Sequence, residues 1–329
     1  MDIRTRLPAE ALAADPRLSV TYSERPVRLP DLPPQSRKVA VLQRPGAVTA
    51  SRWRKFIARC LELNWVVVVE SDDHPDAIAA VRNAVASPNV WRKFALCHAV
   101  QTSTERLREV FAAHNTEVKV FRNAVFDLPP LPEHRRADRI FYGAVGRGAF
   151  AATIAASLGP VVRDFPHVEF VVVGDAEVFK ALPTANKTFH RYLAYRDYLD
   201  LMSSCAISLS PLDGLPHQDC KSDVKFLDAA RGGVLTIASA TVYAQTITHG
   251  VNGLIAREKS DWASLVSQAL VDPAARAAMV RRAWHYVRDE RMFVDQIAER
   301  RDWYLDLYAR REELDARLRR RFPEVASPA

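Results

Sequence analysis

The chain has 329 residues, 48% of them hydrophobic, enough for two domains that each bury a core, and no apolar run approaches the roughly 18 residues that span a bilayer. A formal net charge of +7 suits an anionic small ligand or an anionic membrane surface. Basic residues alternate with acids and no basic stripe carries interleaved aromatics, so no nucleic acid partner is expected.

Met1 to Arg17 is charged, contains prolines and has no apolar core, unlike a secretory signal. Cys60, Cys97, Cys205 and Cys220 lack metal or disulfide spacing, which suits a reducing cytoplasm. Residues 1–36 are Pro-rich without periodicity and are expected to form an irregular arm.

From Lys38 the pattern alternates. Val39-Ala40-Val41-Leu42 reads as a strand, Ser51 to Leu63 as an amphipathic helix, and Trp65-Val66-Val67-Val68-Val69 as a fully buried strand. Asp76 to Ala86 reads as a helix and Ala99-Val100-Gln101 as a short strand. Thr102 and Glu105 stand at capping-box spacing before the next helix. Val118 to Phe121 closes this series as a strand. Asp127 to Asp138, with four prolines, reads as a linker. The second series runs strand 139–143, helix 149–158, strand 168–174, helix 195–202, strand 206–210, a helix opening after Lys221, and strand 234–239. Three helices follow, over 262–270, 273–287 and 295–322. Alternation of this kind makes βαβ units and parallel sheets. The expected divisions are an arm over 1–36, a short first domain over 37–136, a second over 137–290, and a C-terminal helix and tail over 291–329.

The segment Lys221-Ser222-Asp223-Val224-Lys225-Phe226-Leu227-Asp228-Ala229-Ala230-Arg231-Gly232-Gly233 carries the most chemistry. It lies between two buried strands. Ser222 suits an N-cap, Asp223 the positive end of a helix, and the glycine pair its end. A helix start offers free N–H groups and a positive dipole, which hold phosphate, and Lys221 and Lys225 add charge there. Against this stands the plainer reading of a solvated helix face with Asp228 paired to Lys225. Asp72 and Asp73 directly follow a buried strand. They read either as carboxylates for a divalent ion on a diphosphate or as a strand-end turn. Arg319-Arg320-Arg321 reads as a solvated helix terminus or as a peripheral membrane contact.

Residues Lys221 to Gly233, Ile237-Ala238-Ser239, Tyr243 and His249-Gly250-Val251-Asn252-Gly253-Leu254 resemble the C-terminal domain of GT-B glycosyltransferases of the "glycosyl transferases group 1" family. Gly143-Ala144-Val145-Gly146-Arg147, Val173-Gly174-Asp175 and Pro211-Leu212-Asp213 are weaker echoes. Glu70 to Asp73, Gln101 to Glu105 and Arg122-Asn123-Ala124 resemble the acceptor-side domain. The likeness spans most of 38–290.

The resemblance implies an α/β fold of two doubly wound Rossmann-like domains with a cleft between them. It implies sugar transfer from a nucleotide-sugar donor, with retention and without a metal, to a glycan, lipid-linked or protein acceptor in bacterial surface-glycan synthesis. Lys221 and Arg147 would neutralise the phosphates, the amides of Ser222, Asp223 and Val224 would cap them beside Lys225, and Asp228 would bind ribose. Asp213 falls in the loop before the donor helix, and Tyr195 near a loop where a base could stack. Cys220 stands where the family has an acid, with Asp219 the neighbouring carboxylate able to substitute for it. That departure leaves a catalytically degenerate binding or scaffold protein as the alternative, beside a metal-dependent GT-A-like transferase using Asp72 and Asp73.

Overall fold

The computed structural model describes residues 2–25, 29–46, 48–80, 86–132, 139–143 and 148–325. The chain forms two compact units, residues 1–123 with 293–329, and residues 124–292.

The first unit holds a parallel sheet of four strands, β1 (Lys38–Gln43), β2 (Trp65–Ser71), β3 (Ala99–Thr102) and β4 (Val118–Val120), in that spatial order. β2 is buried along its whole length, as a run of β-branched residues in a covered parallel sheet should be. The helix Ala50–Glu62 follows β1. Thr49 caps it by accepting from the Arg52 N–H at 3.3 Å. Trp53, Ile57, Cys60 and Leu61 form its buried face, at the spacing of one helix side. The capping box expected of Thr102 and Glu105 does not form. Thr102 ends β3 and donates to the Ser71 carbonyl at 2.7 Å, and Thr104 is the cap instead, accepting from Leu107 N–H at 3.2 Å.

A sheet whose strands run 1-2-3-4 through right-handed crossovers collects its helices on one face. The other face needs cover from elsewhere. Leu307 and Leu314 supply it, packing with Val66, Val68 and Ala99. They belong to the helices Ile297–Ala309 and Arg311–Arg321. The expected single helix over 295–322 is thus two, preceded by a 3₁₀ turn at Phe293–Gln296, and the pair belongs to the first unit. His98 fastens them further. Its Nδ1 accepts from Val67 N–H at 2.9 Å and its Nε2 meets Asp315 Oδ1 at 2.9 Å.

The irregular arm over 1–36 is also corrected. Asp2–Arg6 is a π-helical turn and Leu7–Leu12 an α-helix with Pro8 in its first turn, where a missing N–H costs nothing. From this segment Arg4, 2% exposed, reaches the carboxyl ends of three strands. It pairs with Glu70 at 2.9 Å and donates to the carbonyls of Thr102 at 3.0 Å and Phe121 at 2.7 Å.

The second unit holds six parallel strands, β5 (Arg139–Gly143), β6 (Glu169–Val173), β7 (Lys187–His190), β8 (Ile207–Ser210), β9 (Leu235–Ser239) and β10 (Leu254–Ala256). Their order is β10-β9-β8-β5-β6-β7. β7 and β10 had no sequence signal. The expected linker lies on this unit where it is described. Arg231 donates to the Asp127 carbonyl at 2.9 Å and Trp284 Nε1 to the Pro129 carbonyl at 2.9 Å, while residues 133–138 lie outside the described residues. The passage between units falls earlier, after Asn123. Among the described residues no helix is long and apolar enough to cross a membrane.

Candidate functional site

The strand order of the second unit decides where a ligand can sit. It reverses between β5 and β8, which pair directly. Connections from these two strands leave toward opposite faces, opening a crevice at their carboxyl ends. β5 ends there at Gly143 and β8 at Ser210. Beyond β8 the segment 211–223 is held by Leu212, whose N–H donates to Ser239 Oγ at the end of β9, 2.8 Å away. The helix Val224–Arg231 follows.

This helix starts one residue later than the sequence suggests. Asp223, not Ser222, occupies the N-cap position, and its side chain makes no capping bond. The carboxylate instead turns inward. Arg291 grips it with two bonds, Nη1 to Oδ2 at 2.6 Å and Nη2 to Oδ1 at 3.0 Å. Thr246 Oγ1 donates to Oδ2 at 2.7 Å, and Arg291 Nη1 also donates to Tyr286 Oη at 2.9 Å. Burial opposes charge on Arg291, yet the bond and charge of Asp223 outweigh it and the pKa is raised. At the other end Gly233 takes φ of +59°, the left-handed value that glycine adopts without strain.

Two residues of this helix reach the end of β5 and the helix before β8. Lys225 Nζ donates to the Gly143 carbonyl. Asp228 accepts from Tyr195 Oη, which opens the helix Tyr195–Ser203, at 2.7 Å. Burial, the largest influence, pushes the Asp228 carboxyl up to about 6, against the lowering pull of Tyr195, Lys225 and Arg231. The Tyr195 hydroxyl is raised by burial first and then by Asp228. Tyr198 completes the group. A Cβ on Gly143 would lie 3.1 Å from Tyr198 Oη and 3.2 Å from Lys225 Nζ, so the absence of a side chain at Gly143 is what lets these groups close on the strand end. Tyr198 belongs to no motif of the sequence, although its place one helical turn after Tyr195 puts it on the same face.

The other expected residues are more scattered. Lys221 and Ser222 are half-buried in the two positions before Asp223. Asp213 accepts from the Leu215 N–H at 3.3 Å within its own turn. Asp219 is exposed, while Cys220 beside it is only 1% exposed. Arg147 lies outside the described residues. In the first unit Asp72 and Asp73 both hold one guanidinium, Arg44 Nη2, at 2.7 and 2.6 Å. Asp72 is shifted down: burial raises its pKa, but Arg44 and Arg4 prevail. The two carboxylates thus form an ion-pair cluster with arginine. No group of three or more His, Cys, Asp or Glu suited to a metal occurs among the described residues.

Residues 155–301 match the model of a family described as glycosyl transferase-like. Solved structures resemble the chain across both units. TarM of S. aureus, in complex with UDP, α-GlcNAc-glycerol and Fondaparinux, superposes with a TM-score of 0.57 and 13% identity over 74% of this chain and 51% of its own. The pneumococcal O-GlcNAc transferase GtfA, with UDP and GlcNAc, gives 0.57 and 10% over 75% and 54%. HepE of Anabaena, with UDP and glucose, gives 0.58 and 14% over 81% and 77%. The chain therefore spans about half the length of the first two. No curated protein matches it by sequence. At these identities the likeness is one of fold, and the fold is of the GT-B type, α/β with two Rossmann-like units.

Proposed function

We propose that the protein is a glycosyltransferase that moves a sugar from a nucleotide-sugar donor to a glycan, lipid-linked or protein acceptor with retention. The observation that carries this reading is that Tyr198 and Lys225 close on Gly143, where the strand order reverses, with the Tyr195–Asp228 pair beside them in the field of Lys225. The match of residues 155–301 to a glycosyl transferase-like family supports it. The UDP in the TarM, GtfA and HepE complexes supports a uridine diphosphate donor.

In this reading the start of the Val224–Arg231 helix receives the diphosphate on backbone N–H groups, with Lys221, Lys225 and Arg147 supplying positive charge. Asp228 accepts from ribose hydroxyls, and Tyr195 keeps that carboxylate oriented. Positive groups at the leaving diphosphate stabilise the charge that develops as the glycosidic bond breaks, so no metal is required. The protein works in the cytoplasm at an anionic membrane face, where a lipid-linked acceptor is met. Asp219 is the carboxylate nearest in sequence to the position of Cys220.

A panel of UDP-, GDP-, ADP- and TDP-sugars tests this, with nucleotide release measured with and without EDTA. Release from one donor class, unchanged by EDTA, is expected. A second reading, a binding protein on a degenerate transferase fold, is favoured by Cys220, which puts a buried thiol where the family has an acid. It predicts UDP binding with no release from any donor.

A further inference from the structure

Asp223 places a carboxylate directly before the helix that the proposed function gives to a diphosphate. A negative charge there is welcome to the helix dipole, but it offsets the positive field that an incoming anion would meet and repels that anion. Yet the residue is buried, and both its oxygens are occupied by one guanidinium from a position 68 residues away. Arg291 is itself firmly held. Its carbonyl accepts from Val125 N–H at 2.8 Å, and the next residue, Met292, pairs with Val125 in a parallel bridge. Tyr286, on the helix Pro273–Glu290, contacts the same guanidinium nitrogen that meets Asp223 Oδ2. The cation is thus fixed from three directions around a carboxylate that also accepts from the Thr246 hydroxyl.

We propose that Arg291 is a positioning residue for the donor site. It turns the Asp223 carboxylate inward and cancels its charge, so that the helix start and its two lysines meet a diphosphate without an opposing anion. The proposal rests on the nucleotide-sugar reading above. It differs from a purely structural role in one consequence: the harm done by losing Arg291 comes from the carboxylate left behind, and removing that carboxylate cures it.

The test is UDP titration by calorimetry on the full chain, with folding checked by circular dichroism. Arg291→Met is expected to weaken UDP binding by about tenfold or more, the effect of one uncompensated charge nearby. The double variant Asp223→Asn/Arg291→Met is expected to return to within about threefold of wild type. A double variant as weak as Arg291→Met overturns the proposal, as does an Arg291→Met chain that is folded and binds UDP normally. Should Arg291→Met not fold, Asp223→Asn alone decides. It keeps the cation and removes the anion, so it must bind UDP at least as tightly as wild type, and weaker binding overturns the proposal. A wild-type chain that binds neither UDP nor any sugar nucleotide is a different result, which removes the donor reading and this inference with it.

Discussion

The hydroxyl of Tyr195 donates to Asp228 Oδ1 at 2.7 Å, joining the helices that precede and follow β8. The bond favours the ionised carboxylate, as do Lys225 and Arg231, but burial outweighs all three and the carboxyl titrates near pH 6. A carboxyl group that ionises late is one the folded chain holds at a cost.

That cost has a sign and a window. The unfolded group ionises near pH 4, and the folded group near 6. Between those values the folded state binds the extra proton, so this residue's contribution to stability falls as pH rises from about 4 to about 6 and is flat above. The difference is on the order of 2–3 kcal/mol. Asp228→Asn should remove it. Urea unfolding of both chains across this range should give curves that converge toward low pH and separate toward neutrality, with the variant the more stable. Parallel curves would contradict the assignment.

Gly143→Ala should damage stability and donor binding together. The new Cβ would lie 2.9 Å from Phe141 Cε1, in a ring that is fully buried, and 3.2 Å from Lys225 Nζ. Overpacking of this kind costs about 1–3 kcal/mol. The lysine must also leave the strand end. A lower melting temperature with unchanged UDP affinity would separate Gly143 from the site.

Arg4→Met should destabilise the first unit strongly. It leaves Glu70 charged and buried, and frees the carbonyls of Thr102 and Phe121. Breaking a buried ion pair by removing one partner costs about 3–5 kcal/mol. Hydrogen exchange is the measurement of choice, because the loss should appear in β2, β3 and β4 and spare β5 to β10.

Charge is unevenly divided. The first unit's residues hold 27 Lys and Arg against 21 Asp and Glu, the second unit's 19 against 18. On the first unit Arg52, Lys55 and Arg59 are exposed on one side of the helix Ala50–Glu62, which packs against the turn Pro323–Val325 just after the exposed Arg319, Arg320 and Arg321. Vesicles containing phosphatidylglycerol should therefore sediment with the protein, phosphatidylcholine vesicles should not, and high salt should release it. Replacing Arg52, Lys55 and Arg319 by glutamate should abolish sedimentation. Equal binding to both vesicle types would remove this face as the contact.

The alternating strands and helices were readable because each buried run, such as 65–69, is long, β-branched and set between amphipathic segments. The polar edge strand β7, half-buried at its ends and exposed at Thr188 and Phe189, carries no such pattern, and three-residue β10 is too short for one. The caps stand one residue after Ser222 and two after Thr102, since cap-competent residues lie side by side at both places, Ser222-Asp223 and Thr102-Ser103-Thr104, and the backbone chooses among them. Lys225 and Asp228 could be found from their place at a helix start between strands. Arg291 could not: its partner is remote, and only the tertiary structure joins them. The same holds for the C-terminal helices, whose apolar face gives no sign of which sheet it covers.

His98 and Asp315 are 217 positions apart, yet they meet within one unit. The first unit thus closes only with residues made after the whole of the second, while residues 124–292 form a continuous segment with a sheet of its own. During synthesis the later unit has everything it needs before the earlier one does. The four-stranded sheet must wait with one face bare, and a nascent chain stopped short of Leu307 would expose Val66 and Val68 to the solvent and to chaperones.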